Sequence, residues 1–249
     1  MDEREYQASF ELEDDYWWLR GQREIVLDLV RGYPLPESPR VLDAGCGTGK
    51  TLQTALSELG EKSNGFDFSS YALPYLRRRG LVGHICQASV NGIPFPAGTF
   101  DVALCLGVLD LEEVDEPRAW EELWRVVKPG GLIVIVVPAH RWLLSAHDQP
   151  IHTLRRYGRE DVRRLVKRCP TRLLRLTHLY PSLLLPIAAV RVARRWMSRK
   201  DGKAARSDLR SLPSPVNRAL YGMVSLERML LHTVDFAFGS SILAIAQKI

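Results

Sequence analysis

Nine residues near the start of the chain restrict its fold more than any other stretch. Residues 41–49 read VLDAGCGTG. Val41 and Leu42 close a short apolar run and Asp43 follows. Gly45, Cys46, Gly47, Thr48 and Gly49 then form a G-x-G-x-G turn. The next residues, KTLQTALSELG from Lys50, have the period and composition of a helix. A buried strand, a glycine-rich turn and a helix N-terminus in that order make a nucleotide-cofactor cradle in an α/β sheet. Glycine permits positive φ and lets the backbone approach a ligand closely. A dinucleotide fingerprint has the spacing G-x-G-x-x-G. Here the third glycine comes one residue early and an acid precedes the first. That pattern suits a ligand carrying a cationic amino acid rather than two phosphates.

Three further stretches follow in order. GFDFS (65–69) places Asp67 eighteen residues after Gly49; IPFPAGTFDVALCLGVLDL (93–111) and LWRVVKPGGLIVIVVPA (123–139) come next. Over about residues 38–140 the chain resembles the class I S-adenosylmethionine (AdoMet) methyltransferases, a bacterial type 11/12-like subgroup among them. The resemblance implies a Rossmann-like α/β fold: a seven-stranded, mostly parallel sheet in the order 3-2-1-4-5-7-6, its last strand antiparallel. It implies AdoMet as cofactor. Asp43, Gly45, Cys46, Gly47 and Gly49 then hold the methionine side. Asp67 takes the ribose, since a carboxylate can accept from both hydroxyls of a cis-diol. Phe68 stacks near the adenine. Ser89, with Val90 beside it, stands where relatives often place an Asp for the adenine amino group. Leu106 and Gly107 line the site after the fourth strand.

The rest of the chain alternates in the same way. An amphipathic helix is predicted over 16–31, with Trp17, Ile25, Val26, Leu29 and Val30 on one face. Strands follow at 40–43, 63–67, 82–87, 100–105 and 132–137, with helices at 49–60, 70–79 and 116–127. A helix over 158–168, a strand over 171–179, a helix over 214–232 and a closing strand within 236–249 complete the pattern. Strands that alternate with helices argue for a parallel sheet covered on both faces. The expected organisation is an N-terminal helical cap (1–36), an AdoMet-binding domain (37–179), a helical substrate lid (180–232) and the closing strand of the core (233–249). In the cap, Trp18 and Arg20 either close over AdoMet, the guanidinium meeting its carboxylate, or belong to a helix packed on the sheet.

Composition sets wider bounds. At 46% hydrophobic and 25% charged residues the chain is an ordinary globular one, which excludes disordered and fibrous classes. Cys46, Cys86, Cys105 and Cys169 show no C-x-x-C spacing, so buried thiols in a reducing compartment are expected. No metal site is expected. The acidic opening lacks an apolar export core, and no run of about 20 apolar residues is present. These readings predict a cytoplasmic protein, with peripheral contact at the inner membrane surface as an option. That option rests on 180–210. Apolar YPSLLLPIAAV precedes a segment, 191–210, in which eight basic residues oppose Asp201 and Asp208 for a net +6. The whole chain is only +5, so the basicity is concentrated there. The segment either lies on an anionic bilayer or is a lid helix trailed by a solvated loop. Leu183–Leu185, Ile187 and Trp196 would give such a lid an apolar acceptor wall.

After the fifth strand comes HDQPIHTLRRY (147–157). His152, Asp148 and His147 are candidate catalytic groups, a base with its orienting carboxylate. Arg155 and Arg156 suit an anionic acceptor group; Tyr157, Asp110 and His140 complete the candidate substrate side. A structural role for this loop as a brace fits the same residues. The reading favoured is methyl transfer, to oxygen, on a small-molecule or lipid- or sugar-linked acceptor. The rivals are a nucleic-acid methyltransferase and a non-catalytic AdoMet-binding adaptor at a membrane surface. Nucleic acid is disfavoured, because neither an Asn/Asp-Pro-Pro-aromatic motif nor a Pro-Cys follows the fourth strand. No feature of the sequence specifies an oligomeric state.

Overall fold

The computed structural model describes residues 3–143, 153–184, 186, 209 and 211–249. The apolar runs form β1 (Val41–Ala44), β2 (Asn64–Asp67), β3 (Ile85–Gln87), β4 (Phe100–Leu106), β5 (Val127–Pro138), β6 (Thr171–Leu179) and β7 (Ser241–Lys248). They make one sheet in the order β3-β2-β1-β4-β5-β7-β6. The first five strands are parallel, and β7 runs antiparallel to both β5 and β6. The expected Rossmann-like topology is therefore the observed one.

Side-chain alternation divides the sheet into two cores. Leu42, Ala44, Ala103, Cys105, Ile133 and Ile135 face one side, under α5 (Glu116–Val126) and α6 (Arg159–Val166). Val41, Val102, Leu104, Leu132 and Val134 face the other, under α2 (Trp17–Arg31) and α7 (Ser214–Leu231). Burial on both faces is why β1 and β4 read as continuous apolar runs rather than alternating ones. A third cluster joins α1 (Glu3–Leu12), α3 (Lys50–Glu58) and α4 (Leu73–Arg78) through Tyr6, Cys46, Leu52, Leu76 and Leu81.

Three boundaries differ from expectation. Helix α1 adds to the expected N-terminal cap a helix that precedes the one predicted over 16–31. Strand β3 begins at Ile85, because residues 82–84 make a single 3-10 turn with Val82 exposed. Strand β5 begins at Val127, five residues early. The Lys-Pro-Gly-Gly turn is absorbed as a β irregularity, with Gly130 at φ +79° and the register shifting between Phe100 and Val102.

Helix α7, the described part of the expected lid, packs on α2. Val224 lies over Gly21, where a Cβ would meet Val224 Cγ1 at 2.4 Å. Tyr221 and Arg228 both reach Glu24, and Asn217 accepts from the Trp17 amide at 3.0 Å. Leu183 is buried in this same core instead of lining an acceptor wall. Leu185, Ile187, Trp196 and most of the basic run lie outside the described residues.

Candidate active site

The β1–α3 turn has left-handed backbone at all three glycines: Gly45 (φ +79°), Gly47 (+54°) and Gly49 (+92°). The amides of Gly45 and Cys46 both donate to the Phe66 carbonyl at 2.9 Å, tying the turn to β2. Added Cβ atoms at Gly45 and Gly49 would collide with Val108 and Leu76, whereas one at Gly47 meets nothing within 4 Å. Two of the glycines are thus dictated by packing, and the third by backbone conformation facing open space.

Two carboxylates flank the turn at the carboxyl ends of adjacent strands. Asp43 is almost fully buried, and its Oδ2 has no hydrogen-bond partner. Its pKa is pushed up to about 7, first by burial and then by the nearby Asp67 and Glu13 carboxylates. Both oxygens of Asp67 are engaged. Its Oδ2 accepts from the Gly47 amide at 2.9 Å; its Oδ1 accepts from the Tyr6 hydroxyl at 2.7 Å and the Ser69 amide at 3.0 Å. Tyr6 lies on α1, and burial together with Asp67 raises its phenol well above the ordinary value. The turn after α1 also reaches the loop: Asp14 pairs with Lys50 at 2.6 Å, and Glu13 pairs with Arg79, which donates to the Thr48 carbonyl at 3.1 Å.

The other expected cofactor residues are distributed as follows. Phe68 is 65% exposed beside Asp67, an apolar face open to a flat ring. The Ser89 hydroxyl accepts from the Asn91 amide at 3.2 Å within a tight turn, and Val90 is buried beneath it. Leu106 is half-buried, and Gly107 takes φ +66° at the end of β4. Burial raises the Cys46 thiol well above its ordinary value, so it is packing and not a nucleophile. Trp18 packs into the α2/α7 core. Arg20 bonds Glu24 at 2.9 Å and lies over the Tyr221 ring at 4.2 Å, so its guanidinium is held against α7. The N-terminal residue that bonds Asp67 is Tyr6. The pair Tyr6 and Phe10, one helical turn apart, is the signal that could have disclosed it.

On the acceptor side the structure brings 153–157 against the loops after β4 and β5. Asp110 Oδ2 accepts from Thr153 Oγ1 at 3.0 Å, and its carbonyl accepts from the Leu154 amide at 2.8 Å. The Tyr157 hydroxyl donates to the Leu109 carbonyl at 2.9 Å, and Arg156, buried, donates to the Ala139 carbonyl at 3.2 Å. Arg155 reaches the Val114 carbonyl at 3.0 Å and Glu116 at 3.4 Å. These side chains brace the loop. His140 follows β5 with φ +62°, and its buried Nε2 has no hydrogen-bond partner. Its ring stacks on His178 at 5.7 Å. Burial holds His178 below the ordinary histidine pKa. A cavity of about 480 Å³ lies beside this loop, lined by Arg141, Arg155, Arg156, Arg164 and Arg168 with Glu116 and Asp161. His147, Asp148 and His152 lie outside the described residues. Among the described residues, no group of three His, Cys, Asp or Glu side chains is arranged to hold a metal ion.

Residues 42–135 match the family model described as "Methyltransferase domain". The chain is 30% identical over 146 residues to the malonyl-[acyl-carrier protein] O-methyltransferase of Enterobacter lignolyticus (strain SCF1), which covers 56% of this chain and 57% of that protein. It is 36% identical over 126 residues to the demethylmenaquinone methyltransferase of Thermus thermophilus, covering 47% and 54%. The chain thus spans about half the length of the curated relatives it matches. Among solved structures, a geranyl diphosphate methyltransferase in complex with SAM has a TM-score of 0.58 at 19% identity, over 92% of this chain and 84% of that one. The [4+2]-cyclase SpnF has a TM-score of 0.56 at 21% identity, over 90% and 79%. The sheet is Rossmann-like, and its glycine turn falls within the stretch, residues 42–135, that matches the methyltransferase-domain model.

Proposed function

We propose that the protein transfers a methyl group from AdoMet to an oxygen of a small-molecule or lipid- or sugar-linked acceptor. The observation that carries this reading is the buried, unpartnered Oδ2 of Asp43 beside the open face of Gly47. A buried carboxylate oxygen without a partner is costly, and an α-ammonium group is the complement it lacks. When bound, AdoMet supplies a methyl group already carried on a good leaving group. The chain's own task is then mainly to hold acceptor and donor in line and to exclude water.

Asp43 would accept from the ammonium, and the Gly45–Gly49 turn would hold the methionine backbone, with Cys46 packing beneath. Asp67 would accept from the ribose hydroxyls. Phe68, Ser89, Val90 and Leu106 would bound the adenine side. On the N-terminal side Tyr6, rather than Trp18 or Arg20, holds Asp67 before the ligand enters. On the acceptor side we assign an anionic group of the acceptor to Arg155 and Arg156, supported by the arginine-lined cavity beside them. Asp110 and Tyr157 hold that loop, and His140 lies at the acceptor edge. His152, with Asp148 and His147, is assigned the proton of a hydroxyl or acid acceptor; the sequence alone supports that assignment. Two of the matched relatives are named for a malonyl thioester and a quinone precursor, which supports acceptors that are carrier-borne or lipid-like.

The test is formation of S-adenosylhomocysteine from AdoMet with a panel of hydroxyl- and carboxyl-bearing acceptors. The panel contains malonyl thioesters, prenyl phenols, lipid-linked sugars and an RNA control. Turnover with one of the first three classes that falls at least tenfold in His152→Ala supports the proposal. Turnover on RNA alone, or none on any acceptor by protein that binds AdoMet, would reject it.

A further inference from the structure

The cavity beside the 153–157 loop has an unbalanced wall. Among the described residues, five guanidinium groups line it (Arg141, Arg155, Arg156, Arg164 and Arg168) against two carboxylates, Glu116 and Asp161. Asp161 is shared: it accepts from Arg141 at 3.1 Å through both oxygens, and from Arg164 as well. Glu116 meets Arg155 at 3.4 Å. From outside the wall, Glu121 meets Arg168 at 3.5 Å. With that third acid counted, five cations still face three anions, an excess of two. Like charges around one concavity repel one another, and a low-dielectric wall focuses their field. A bound anion relieves that repulsion.

Charge and shape name the anion. A carboxylate brings one negative charge, which leaves the excess unmatched. A phosphate ester brings about −1.5 to −2 at pH 7 and three strong acceptor oxygens. Planar guanidiniums meet such oxygens in bidentate pairs. The volume of about 480 Å³ lies in the range of small-molecule sites, about 300–1,000 Å³, so the carbon that bears the phosphate fits beside it. Pro117 and Leu154, the latter 54% exposed, give the wall an apolar strip for that carbon. The cations gather around one concavity instead of tracking along a surface, which fits a single phosphate group and not a nucleic-acid backbone.

We propose that this cavity is a phosphate site and that the acceptor carries a phosphate or diphosphate on an apolar body. The site stands on the charge of its wall; its assignment to the acceptor rests on the methyl-transfer reading above. The 153–157 loop joins the two. Tyr157 and Arg156, on the cavity wall, bond the Leu109 and Ala139 carbonyls in the loops after β4 and β5, the sheet end where ligands of such folds lie.

The test is calorimetry on the full chain with inorganic pyrophosphate, a short prenyl diphosphate and malonate. The variants are Arg141→Gln/Arg164→Gln and, leaving the Asp161 pairs intact, Arg168→Gln. Pyrophosphate should bind at least about tenfold more tightly than malonate. Both variants should weaken it, the double one by at least about tenfold, while keeping wild-type affinity for S-adenosylhomocysteine, which shows that they fold. Tighter binding of the prenyl diphosphate than of pyrophosphate supports a lipid-borne phosphate; equal binding supports a soluble ester. No binding of pyrophosphate by folded wild type overturns the proposal. So does malonate binding as tight, or pyrophosphate binding unchanged in both variants. Turnover on a phosphate-free acceptor that neither pyrophosphate nor the double variant alters overturns the acceptor assignment and leaves methyl transfer standing. Bound pyrophosphate without turnover on any acceptor supports the phosphate site and counts against methyl transfer.

Discussion

The hydroxyl of Tyr6 donates to Oδ1 of Asp67 at 2.7 Å, joining the first helix to the carboxylate at the end of β2. A carboxylate has about four acceptor positions, and Tyr6, Ser69 and Gly47 already use three. A ribose diol brings two donors, so one existing donor must leave. The Ser69 and Gly47 amides are fixed in the loops that form the site. Tyr6 lies on α1 and is the donor that yields. Tyr6→Phe should therefore tighten S-adenosylhomocysteine binding by up to about tenfold, the equivalent of about 1.4 kcal/mol. The unliganded fold should lose about 1 kcal/mol. Calorimetry and thermal denaturation check both. Weaker binding in the variant would mean that Tyr6 stays as a ligand contact.

Asp43 predicts a pH dependence. Its carboxyl titrates near 7 in the fold against an ordinary 3.8. Between those values the folded state keeps a proton that the unfolded state releases. Its contribution to stability therefore falls as pH rises from about 4 through 7. An ammonium ligand needs the ionised form. Affinity for S-adenosylhomocysteine should climb about tenfold per pH unit below 7 and level off above it. Asp43→Asn should bind more weakly with no such slope, and its stability should not decline over that window. A wild-type affinity that is flat over this range would contradict the role assigned to Asp43.

The glycines separate folding from binding. Gly45→Ala places a methyl 2.4 Å from Val108 Cγ2 at φ +79°, so it should cost about 3 kcal/mol or more. Gly47→Ala meets open space and should cost only about 1–2 kcal/mol for its left-handed backbone. Its methyl would still occupy the ligand face, and binding should fall at least tenfold. Denaturation midpoints and calorimetry on the two variants test the contrast.

His140 holds a left-handed backbone that a non-glycine residue adopts at a cost of about 1 kcal/mol. Strain of this kind is retained where function requires it. His140→Gly should raise thermal stability and lower turnover. A variant that is both more stable and fully active would remove His140 from the acceptor edge.

The sheet was legible because its signals are local. Alternating apolar runs and helices mark the strands, the resemblance to the AdoMet methyltransferases implies their order, and VLDAGCGTG marks the turn between β1 and α3. Where expectation and structure part, the deciding contact is distant in sequence. Helix α1 lacks an apolar period. It is held by Tyr6 on Asp67, by Phe10 on Tyr75 at 4.9 Å, and by Arg78 and Arg79 over Phe10. Arg20 reads either as a cofactor ligand or as part of a packed helix, and what decides where its guanidinium lies is Glu24 and Tyr221, the latter on α7. The Arg-Arg-Tyr run reads as substrate-facing, and the structure adds contacts that no local pattern displays, from Tyr157 to the Leu109 carbonyl and from Arg156 to the Ala139 carbonyl. A sequence displays the donors; which carbonyl they reach is decided by the packing of loops after β4 and β5.

The most direct test of the account is calorimetric titration of the purified chain with S-adenosylhomocysteine, beside Asp67→Ala. The account predicts micromolar binding by the wild type and loss of that binding in the variant, with both proteins folded. No binding by folded wild-type protein, or equal binding by the variant, would contradict it.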